Sequence, residues 1–371
     1  MESITHKQEL VKVSNWRKCR LKHVLTINNG QDYKEVVSES GYPVYGSGGI
    51  FSYASNYIYD GKAILLGRKG TIDKPIAVEG KFWTVDTMFF AIVKRTESFR
   101  FIYYLTTKIP FQLYSTATAI PSMTQFDLNN HVISLPPKDE QTAIANFLDD
   151  KTTKLDQVIA QKERMIALLQ ERKQIIIQNA VTKGLDPNVK MKDSGVGWIG
   201  EIPEHWEVRR AKYLFYESDE RSEDGSEELL SISHMTGVTA RSEKNVNMFK
   251  AEDYSGSKIC RKGDLVYNIM WAWMGALGVS NNYGIVSPSY AVYRKLKNVK
   301  FNNWYLEELL KSKNHVTHYN QVSTGLHTSR LRFYSRMFFD MEIGFPDFDE
   351  QNEIEKEVNS ATNKIDKAIN K

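Results

Sequence analysis

The sequence reads Leu135-Pro136-Pro137-Lys138-Asp139-Glu140-Gln141 at one place and Phe345-Pro346-Asp347-Phe348-Asp349-Glu350-Gln351 at another, 210 residues later. The register continues through further matches at Ile144/Ile354, Lys154/Lys364, Asp156/Asp366 and Ile159/Ile369. A pattern shared over this length indicates an internal duplication. Upstream, Trp16 matches Trp206 at an offset of 190, so the second globular segment is 20 residues longer than the first. Each half is therefore predicted to be a variable globular unit followed by a shared helical unit.

The first copy of the segment begins a long predicted helix. Asp139 is the expected N-cap after the two prolines, and no Pro or Gly occurs from Asp139 to Thr182. At about 1.5 Å per residue, this stretch makes a rod of about 66 Å. Gly184, with Asp186-Pro187 behind it, predicts the end of the helix. Apolar residues recur at three- and four-residue spacing, as Leu155, Ile159, Ile166, Leu169, Ile176 and Ala180.

The second copy ends at Lys371, so residues 162–182 of the first have no counterpart in it. Since a helix with one apolar stripe must bury that stripe, we expect the two copies to pair antiparallel. The alternative is that each helix packs on its own domain.

The globular segments read as short β-rich runs alternating with glycine turns, followed by short helices at 101–107 and 304–311. The expected fold class is α+β, with two mixed α/β domains separated by long α-helices that form an antiparallel coiled coil, and with a pseudo-twofold internal repeat. The predicted boundaries are 1–137, 138–186, 187–345 and 346–371.

Composition excludes several classes of protein. With 41% hydrophobic and 12% aromatic residues among 371, the chain is not disordered. Its N-terminus has no signal-peptide pattern, and the longest apolar run, residues 265–279, is shorter than the roughly 20 residues of a membrane span. Cys19 and Cys260 belong to no metal or disulfide pattern, so we expect reduced, inert thiols in the cytoplasm.

Charge is uneven along the chain. The net charge of +4 divides into +5 for residues 1–137, 0 for 138–186, +2 for 187–345 and −3 for 346–371. The two globular segments are therefore the basic ones, which allows nucleic-acid binding without establishing it.

Motifs for catalysis are missing from the sequence. It contains no Asn/Asp-Pro-Pro-aromatic loop of a DNA methyltransferase and no P-loop spacing. Asp73, Glu79 and Lys81 form a short nuclease-like pattern that could hold Mg²⁺, but Glu79-Gly80-Lys81 also fits a hairpin turn. His315 and His318 have no third ligand nearby and are expected at the surface.

Two glycine-rich stretches of the first unit are candidate phosphate contacts. Ser47 lies in the run Tyr45-Gly46-Ser47-Gly48-Gly49-Ile50-Phe51, and Arg68 and Lys69 lie between Gly67 and Gly70. Backbone NH groups and cations there suit close approach to phosphates, although either stretch could be an ordinary turn. Thr118 and Ser122, before the helix, are further candidates.

In the second unit, the run 268–274 ends an apolar strand with an amide and two tryptophans, and the run 323–332 is polar and basic. Hydroxyl, imidazole and guanidinium groups are those that read base edges and phosphates. The tryptophans fit a core position better, because they alternate with small apolar residues. The candidates for DNA contact are Asn268, Trp271, His327, Ser329, Arg330 and Arg332.

The segment from Met191 to Trp206 (MKDSGVGWIGEIPEHW), the paired helix starts and Ser287-Pro288-Ser289-Tyr290 together resemble the specificity subunit of type I restriction-modification systems. The resemblance covers nearly the whole chain. It implies two target recognition domains that each read one half of a bipartite, asymmetric DNA sequence. It also implies that the chain has no catalysis of its own.

The resemblance further implies partners: two modification subunits that methylate adenine, and restriction subunits. S-adenosylmethionine, ATP and Mg²⁺ are then expected on those partners and no cofactor on this chain. The helical residues expected to face partners are Glu140, Gln141, Leu155, Ile159, Ile166, Leu169, Ile176, Glu350, Gln351 and Ile365.

Two features depart from the family. The first unit lacks the Asp-Ser-Gly-to-His-Trp segment and keeps only Trp16, and the distal helix is short. The short helix leaves open a half-specificity subunit that pairs with another specificity chain. The residues Asp73, Glu79 and Lys81 leave open a single-chain Mg²⁺ nuclease.

Overall fold

The computed structural model describes residues 16–114, 121–243, 253–325 and 330–370. The chain divides into two compact units, Met1–Ala160 and Gln161–Lys371, and the division falls inside one long helix. The finer division predicted from the sequence, with boundaries after residues 137, 186 and 345, stays a prediction.

The first unit is rich in β-structure. Its strands are β1 Arg17–Arg20, β2 Leu25–Asn29, β3 Val37–Ser38, β4 Tyr42–Gly46, β5 Gly49–Ala54, β6 Tyr59–Asp60, β7 Ala63–Gly67, β8 Ile76–Val78, β9 Lys81–Thr84, β10 Met88–Val93 and β11 Val132–Leu135. Its helices are α1 Phe99–Thr106, α2 Gln125–Asn130 and the first part of α3 Lys138–Lys183. The described strands form sheets in the orders β1-β11, β2-β10-β7-β8 and β3-β5-β4-β9-β6.

Strand β7 lies at the centre of this unit and is buried along its whole length. Because side chains alternate across a strand, Ile64 and Leu66 join a core with α1 and α2, while Ala63 and Leu65 join a second core with β4 and β9. A strand covered on both faces is continuously apolar, which is the pattern of this stretch.

The turn at Glu79-Gly80-Lys81 joins two different sheets. Strand β8 pairs with β7, whereas β9 pairs with β4 and β6. The hairpin expected at this turn is therefore wrong: the chain crosses from one layer of the unit to the other.

The second unit contains strands β12 Met191–Asp193, β13 Glu201–Pro203, β14 Glu207–Arg210, β15 Phe215–Glu217, β16 Leu230–Ser233, β17 Gly237–Ala240, β18 Lys258–Cys260, β19 Leu265–Asn268, β20 Leu277–Val279, β21 Gly284–Val286, β22 Tyr290–Lys295 and β23 Glu342–Phe345. Its helices after α3 are α4 Asn303–Leu310, α5 Lys313–Val322, α6 Ser335–Asp340 and α7 Phe348–Ile369. The described strands form a four-stranded sheet in the order β15-β22-β19-β20 and the pairs β12-β13, β14-β23, β16-β17 and β18-β21.

The predicted duplication is confirmed by topology. The sheet order β2-β10-β7-β8 of the first unit recurs as β15-β22-β19-β20 in the second, and the pair β1-β11 recurs as β14-β23. The elements between differ, because a five-stranded sheet in the first unit has no counterpart among the described strands of the second. The two units thus share the four-stranded sheet and the strand pair that leads into α3 or α7.

Helices α3 and α7 begin differently. Asp347 caps α7 by accepting a hydrogen bond from the Glu350 N–H at 2.9 Å. The aligned residue of the first copy is Pro137, whose carbonyl accepts from Gln141 N–H at 2.9 Å. The N-cap predicted at Asp139 is therefore wrong, since Asp139 lies within the first turn, where its carboxylate favours the helix N-terminus.

Within the second unit, α7 packs antiparallel to the end of α3. Lys173 Nζ lies 2.7 Å from Asp366 Oδ2, and a Cβ atom built on Gly184 would lie 3.4 Å from Glu350 Oε1. Gly184 has φ of +79°, the left-handed conformation typical of the residue after a helix. The predicted antiparallel pairing is present here, with a core shared by Ile177, Ala180, Val181, Ile354 and Val358.

The alternative packing is also present, because α7 contacts its own domain. The Asn302 amide, at the start of α4, donates to Asn352 Oδ1 at 2.8 Å and to Glu355 Oε2 at 2.6 Å. One helix therefore serves both the helical pair and the domain.

Both cysteines are free thiols, Cys19 half-buried and Cys260 buried. Burial raises the pKa of Cys260 to about 12, so this thiol stays protonated near neutral pH. Among the described residues, the helices are too short or too polar to cross a membrane.

Candidate nucleic-acid interface

The loop after β7 brings together candidates that are far apart in sequence. Lys69 pairs with Ser122 in an isolated antiparallel bridge, and Met123 N–H donates to Arg68 O at 2.9 Å. Gly70 N–H donates to the carbonyl of Pro121, also at 2.9 Å. Arg68, Lys69 and Ser122 therefore form one site at the end of the central strand.

Hydrogen bonds fix the backbone of Arg68 and Lys69 in this site, and the two residues are exposed. The N–H groups of Arg68 and Lys69 both donate to Thr87 O, at 2.9 and 3.1 Å. The Arg68 guanidinium also donates to Asp86 O at 3.3 Å and lies 5.9 Å from the centre of the Phe89 ring. Ser47 joins from the turn between β4 and β5, because its hydroxyl lies 3.6 Å from a Cβ built on Gly70.

The loop after β19 is built in the same way. Phe333 N–H donates to Ile269 O at 3.0 Å, as Met123 does to Arg68, and Thr324 pairs with Arg332 through bonds of 3.1 and 2.9 Å. The two units thus repeat this junction between a strand end and the segment leading into a short helix, α2 or α6.

Asn268 is 6% exposed and serves local structure. Its Oδ1 accepts from Met270 N–H at 3.2 Å, and its amide donates to the Tyr290 hydroxyl at 3.3 Å. Burial raises the pKa of Tyr290, which keeps that hydroxyl protonated. Asn268 therefore shapes the loop and offers little surface to a ligand.

Trp271 is 45% exposed, so the core position favoured for it is wrong. It follows a strand end and stacks on Trp273 with ring centres 5.9 Å apart, which leaves its other side open. Arg330 is exposed and Arg332 is half-buried, with its guanidinium bonded to Leu331 O at 2.9 Å. Thr118, His327 and Ser329 lie outside the described residues.

Other arginines of the second unit are engaged in a salt-bridge network. Glu220 accepts from Arg261 and from Arg294, and Asp264 accepts from Arg294 at 3.1 Å. The two guanidinium groups lower the pKa of Glu220 to about 2. Carboxylates neutralise the charges of Arg261 and Arg294, and in this respect the two arginines differ from the cations at the strand ends.

The nuclease-like residues are directed to other partners. Glu79 pairs with Lys62 at 3.5 Å, and the Lys81 ammonium lies over the rings of Tyr42 and Tyr57, 5.6 and 4.7 Å from their centres. In the described residues, no group of three His, Cys, Asp or Glu side chains could hold a metal ion.

His315 is buried, so the surface position expected for it is wrong. It is 3% exposed, and its Nδ1 lies 2.9 Å from the Ser312 hydroxyl. Trp198 packs edge-on against its ring, with the two ring centres 4.9 Å apart. Trp198 also stacks on His318 at 4.2 Å. The segment that carries the family resemblance thus docks on α5 through an aromatic contact between residues 117 or more apart, which spacing could not show.

The repeated Glu-Gln pairs join each helix to its own domain. Trp16 Nε1 donates to Glu140 Oε1, and Trp206 Nε1 to Glu350 Oε1, both at 3.1 Å. Trp16 and Trp206, which align in the sequence repeat, therefore make the same hydrogen bond in the two units.

Gln141 and Gln351 are each 1% exposed. Gln141 accepts from Ser98 N–H and donates to Pro136 O, both at 2.9 Å. Gln351 accepts from Asn302 N–H at 3.0 Å and donates to Pro346 O at 2.9 Å. These side chains are occupied inside the fold and present almost no surface to a partner.

The remaining helical candidates differ in exposure. Leu155 and Ile159 are 60% and 54% exposed, within the first unit. In the second unit, Ile166, Leu169 and Ile176 are half-buried and Ile365 is 9% exposed. The middle of α3 therefore has exposed apolar side chains, which continue to Ile175, whereas Ile177, Ala180 and Val181 near its end are buried.

Comparisons with known proteins agree with this architecture. Residues 13–166 match the family model described as the type I restriction modification DNA specificity domain. The MjaVIII specificity subunit of Methanocaldococcus jannaschii is 31% identical over 151 residues, which cover 40% of this chain and 31% of that protein. The putative MjaX specificity subunit of the same organism is 37% identical over 87 residues, 24% of this chain and 19% of that protein. The matched regions span less than a third of these relatives.

Solved structures show the fold over most of the chain. A chain from a structure of complex assembly in a type I R-M system aligns with a TM-score of 0.66 and 15% identity, covering 96% of this chain and 92% of that one. The HsdS subunit from Thermoanaerobacter tengcongensis aligns with a TM-score of 0.51 and 16% identity, covering 96% and 90%. Over residues 13–166 the chain is therefore similar to the type I restriction modification DNA specificity domain, and its fold is similar to that of an HsdS subunit.

Proposed function

We propose that this chain is the DNA sequence-recognition subunit of a type I restriction-modification complex. The observation that carries the proposal is the repeated junction at Arg68/Met123 and Ile269/Phe333, placed at the end of the same central strand in both units. Each unit would read one half of a bipartite, asymmetric target.

The chemistry of the two junctions supports DNA as the ligand. The first presents Arg68 and Lys69 in a loop fixed by its backbone. The second has exposed Trp271, two residues after Ile269, and exposed Arg330, three residues before Phe333. Cations position a protein on phosphates, and side chains held at fixed places read base edges. Unequal loops on equal frameworks suit two different half-sites.

Catalysis belongs to partner subunits in this proposal. Two modification subunits would dock on the chain and carry S-adenosylmethionine, and restriction subunits would use ATP and Mg²⁺, all in the cytoplasm. The stripe with Leu155 and Ile159 on α3 is a candidate contact for such a partner. No observation favours the nuclease over this function.

Methylation-aware sequencing of the host genome, with and without the gene, tests the proposal. One bipartite adenine motif should lose methylation when the gene is absent. Substitutions at Lys69, as a phosphate contact, should weaken methylation of the motif without changing its sequence, whereas substitutions at Trp271 or Arg330 should relax or weaken the half-site read by the second unit. An unchanged methylome, or methyl transfer by the isolated chain, contradicts the proposal.

Sizing the chain with and without a modification subunit separates it from a half-specificity subunit. One copy of this chain per two modification subunits is expected. Two copies of this chain in the complex would favour the half-specificity function.

A further inference from the structure

The hairpin of β4 and β5 contains a β-bulge near its turn. Val44 lies opposite Ser52 and Tyr45 opposite Ile50, so Phe51 has no residue opposite it. A bulge breaks the alternation of side chains along a strand and re-aims them. Ile50 and Phe51, adjacent in sequence, are 53% and 54% exposed. The hairpin therefore ends in a pair of exposed apolar side chains.

The turn of this hairpin lies next to the loop that carries Arg68 and Lys69. The turn residue Ser47 contacts the position of Gly70, with 3.6 Å from its hydroxyl to a Cβ built there. Gly70 is itself bonded to Pro121 O, in the junction that holds Arg68 and Lys69. The hairpin that carries the apolar pair therefore meets, at its turn, the loop that carries the two cations.

The tip of the hairpin is open, and the base of the Phe51 side chain is fixed. A Cβ built on Gly48 or Gly49 would meet no heavy atom within 4 Å. The Phe51 ring lies 3.2 Å from a Cβ built on Gly46, and Tyr33 packs on it edge-on at 5.2 Å. A large ligand can therefore approach the turn closely and meet a pre-positioned ring.

These features fit the major groove of DNA. That groove admits a two-stranded ribbon, its edges carry phosphates for the cations, and the thymine 5-methyl is its apolar group. We propose that the β4-β5 hairpin enters the major groove, where Ile50 and Phe51 contact thymine methyl groups of the half-site read by the first unit. The proposal rests on the proposed function and names a part of its specificity.

Thymine-to-deoxyuridine replacement tests the contact, since it removes only the methyl group. Using the full chain and a duplex with the recognised sequence, each thymine is replaced in turn. At one or more positions the unaltered chain should lose about fourfold in affinity, which corresponds to one buried methyl group. Phe51→Ala, or Ile50→Ala with Phe51→Ala, should bind the normal duplex about tenfold more weakly and lose sensitivity to deoxyuridine there.

Val37→Ala is the matched control. Val37 is 56% exposed on the same sheet, but it pairs with Ala54 at the far end of β5. This variant should keep both the affinity and the deoxyuridine effect of the unaltered chain. The salt dependence of Phe51→Ala should also stay unchanged, because an apolar contact releases no counterions.

The inference alone would be overturned by sequence-selective binding that Phe51→Ala leaves intact, or by a deoxyuridine effect equal in Phe51→Ala and the unaltered chain. A selective chain insensitive to every deoxyuridine would do the same. Failure of the unaltered chain to bind any sequence selectively would refute the proposed function and the inference together.

Discussion

Replacing Gln351 by Ala should loosen the joint between α7 and the second unit. The Gln351 side chain is 1% exposed and satisfies two main-chain groups, the Asn302 N–H at 3.0 Å and the Pro346 carbonyl at 2.9 Å. Alanine can bond to neither. A buried backbone group without a partner costs about 1–3 kcal/mol, so we expect a loss of about 3 kcal/mol for the two.

Hydrogen exchange measures this loss at the residue that suffers it. With about 1.4 kcal/mol per factor of ten, protection of the Asn302 amide should fall about a hundredfold. Gln141→Ala should act in the same way on the Ser98 amide of the first unit, whose N–H it binds at 2.9 Å. Each variant should leave the other unit's amide protected.

Gln321→Ala is the control, because Gln321 is an exposed glutamine near the end of α5. It should change the free energy of unfolding by less than about 0.5 kcal/mol. The reasoning is refuted if Gln351→Ala leaves Asn302 as protected as before, or if Gln321→Ala lowers that protection equally.

Three further outcomes are expected. Arg68→Ala or Lys69→Ala should weaken DNA binding across sequences and lower the slope of log affinity against log salt by about one. The control Lys108→Ala, at an exposed lysine, should change neither. Unchanged slopes for Arg68→Ala and Lys69→Ala would mean that the loop is only a turn. Burial lowers the pKa of His315 from 6.5 to about 3, so the unfolded chain binds its proton first and folding stability should fall as pH drops from about 6.5 toward 3. His315→Gln should flatten that decline in urea unfolding measured across pH, and an unaltered decline would show that other groups cause it. Trp206→Phe removes the bond to the helix start and should cost about 1 kcal/mol in urea unfolding, with an unchanged midpoint as the contrary result.

Local patterns predicted the framework well. The helix expected from 139 to 182 spans Lys138–Lys183, because a long stretch free of Pro and Gly with a steady apolar spacing admits few other structures. The duplication was visible in the sequence because the repeated residues make the same contacts in both units, as the Trp16–Glu140 and Trp206–Glu350 bonds show. Asp139 was misassigned as the N-cap because more than one residue after Pro136 could occupy that position.

The site depended on contacts between distant residues. Nothing in spacing joins Lys69 to Ser122, 53 residues later, or Trp198 to His318. The exposure of Trp271 was missed because alternation with small apolar residues is typical of a strand, whereas the chain turns there into a short 3-10 helix, Ala272–Met274. A bulge such as that at Phe51 leaves no sequence signal beyond the glycines of the turn.

The Gln141 and Gln351 side chains make the same two main-chain bonds in the two units, to a proline carbonyl and to the N–H of residue 98 or 302. Gln141 adds one side-chain bond, because its amide also donates to Glu97 Oε2 at 2.7 Å. Every amino acid offers a carbonyl, and every one except proline offers an N–H, so these two bonds place almost no demand on the side chains of the residues that they reach. A domain can therefore change its side chains and keep these two bonds, whereas a change at Trp206 or Asn302 would lose side-chain bonds to the helix. The main-chain bonds are thus the part of the joint that a changed domain could keep without a matching change in the helix.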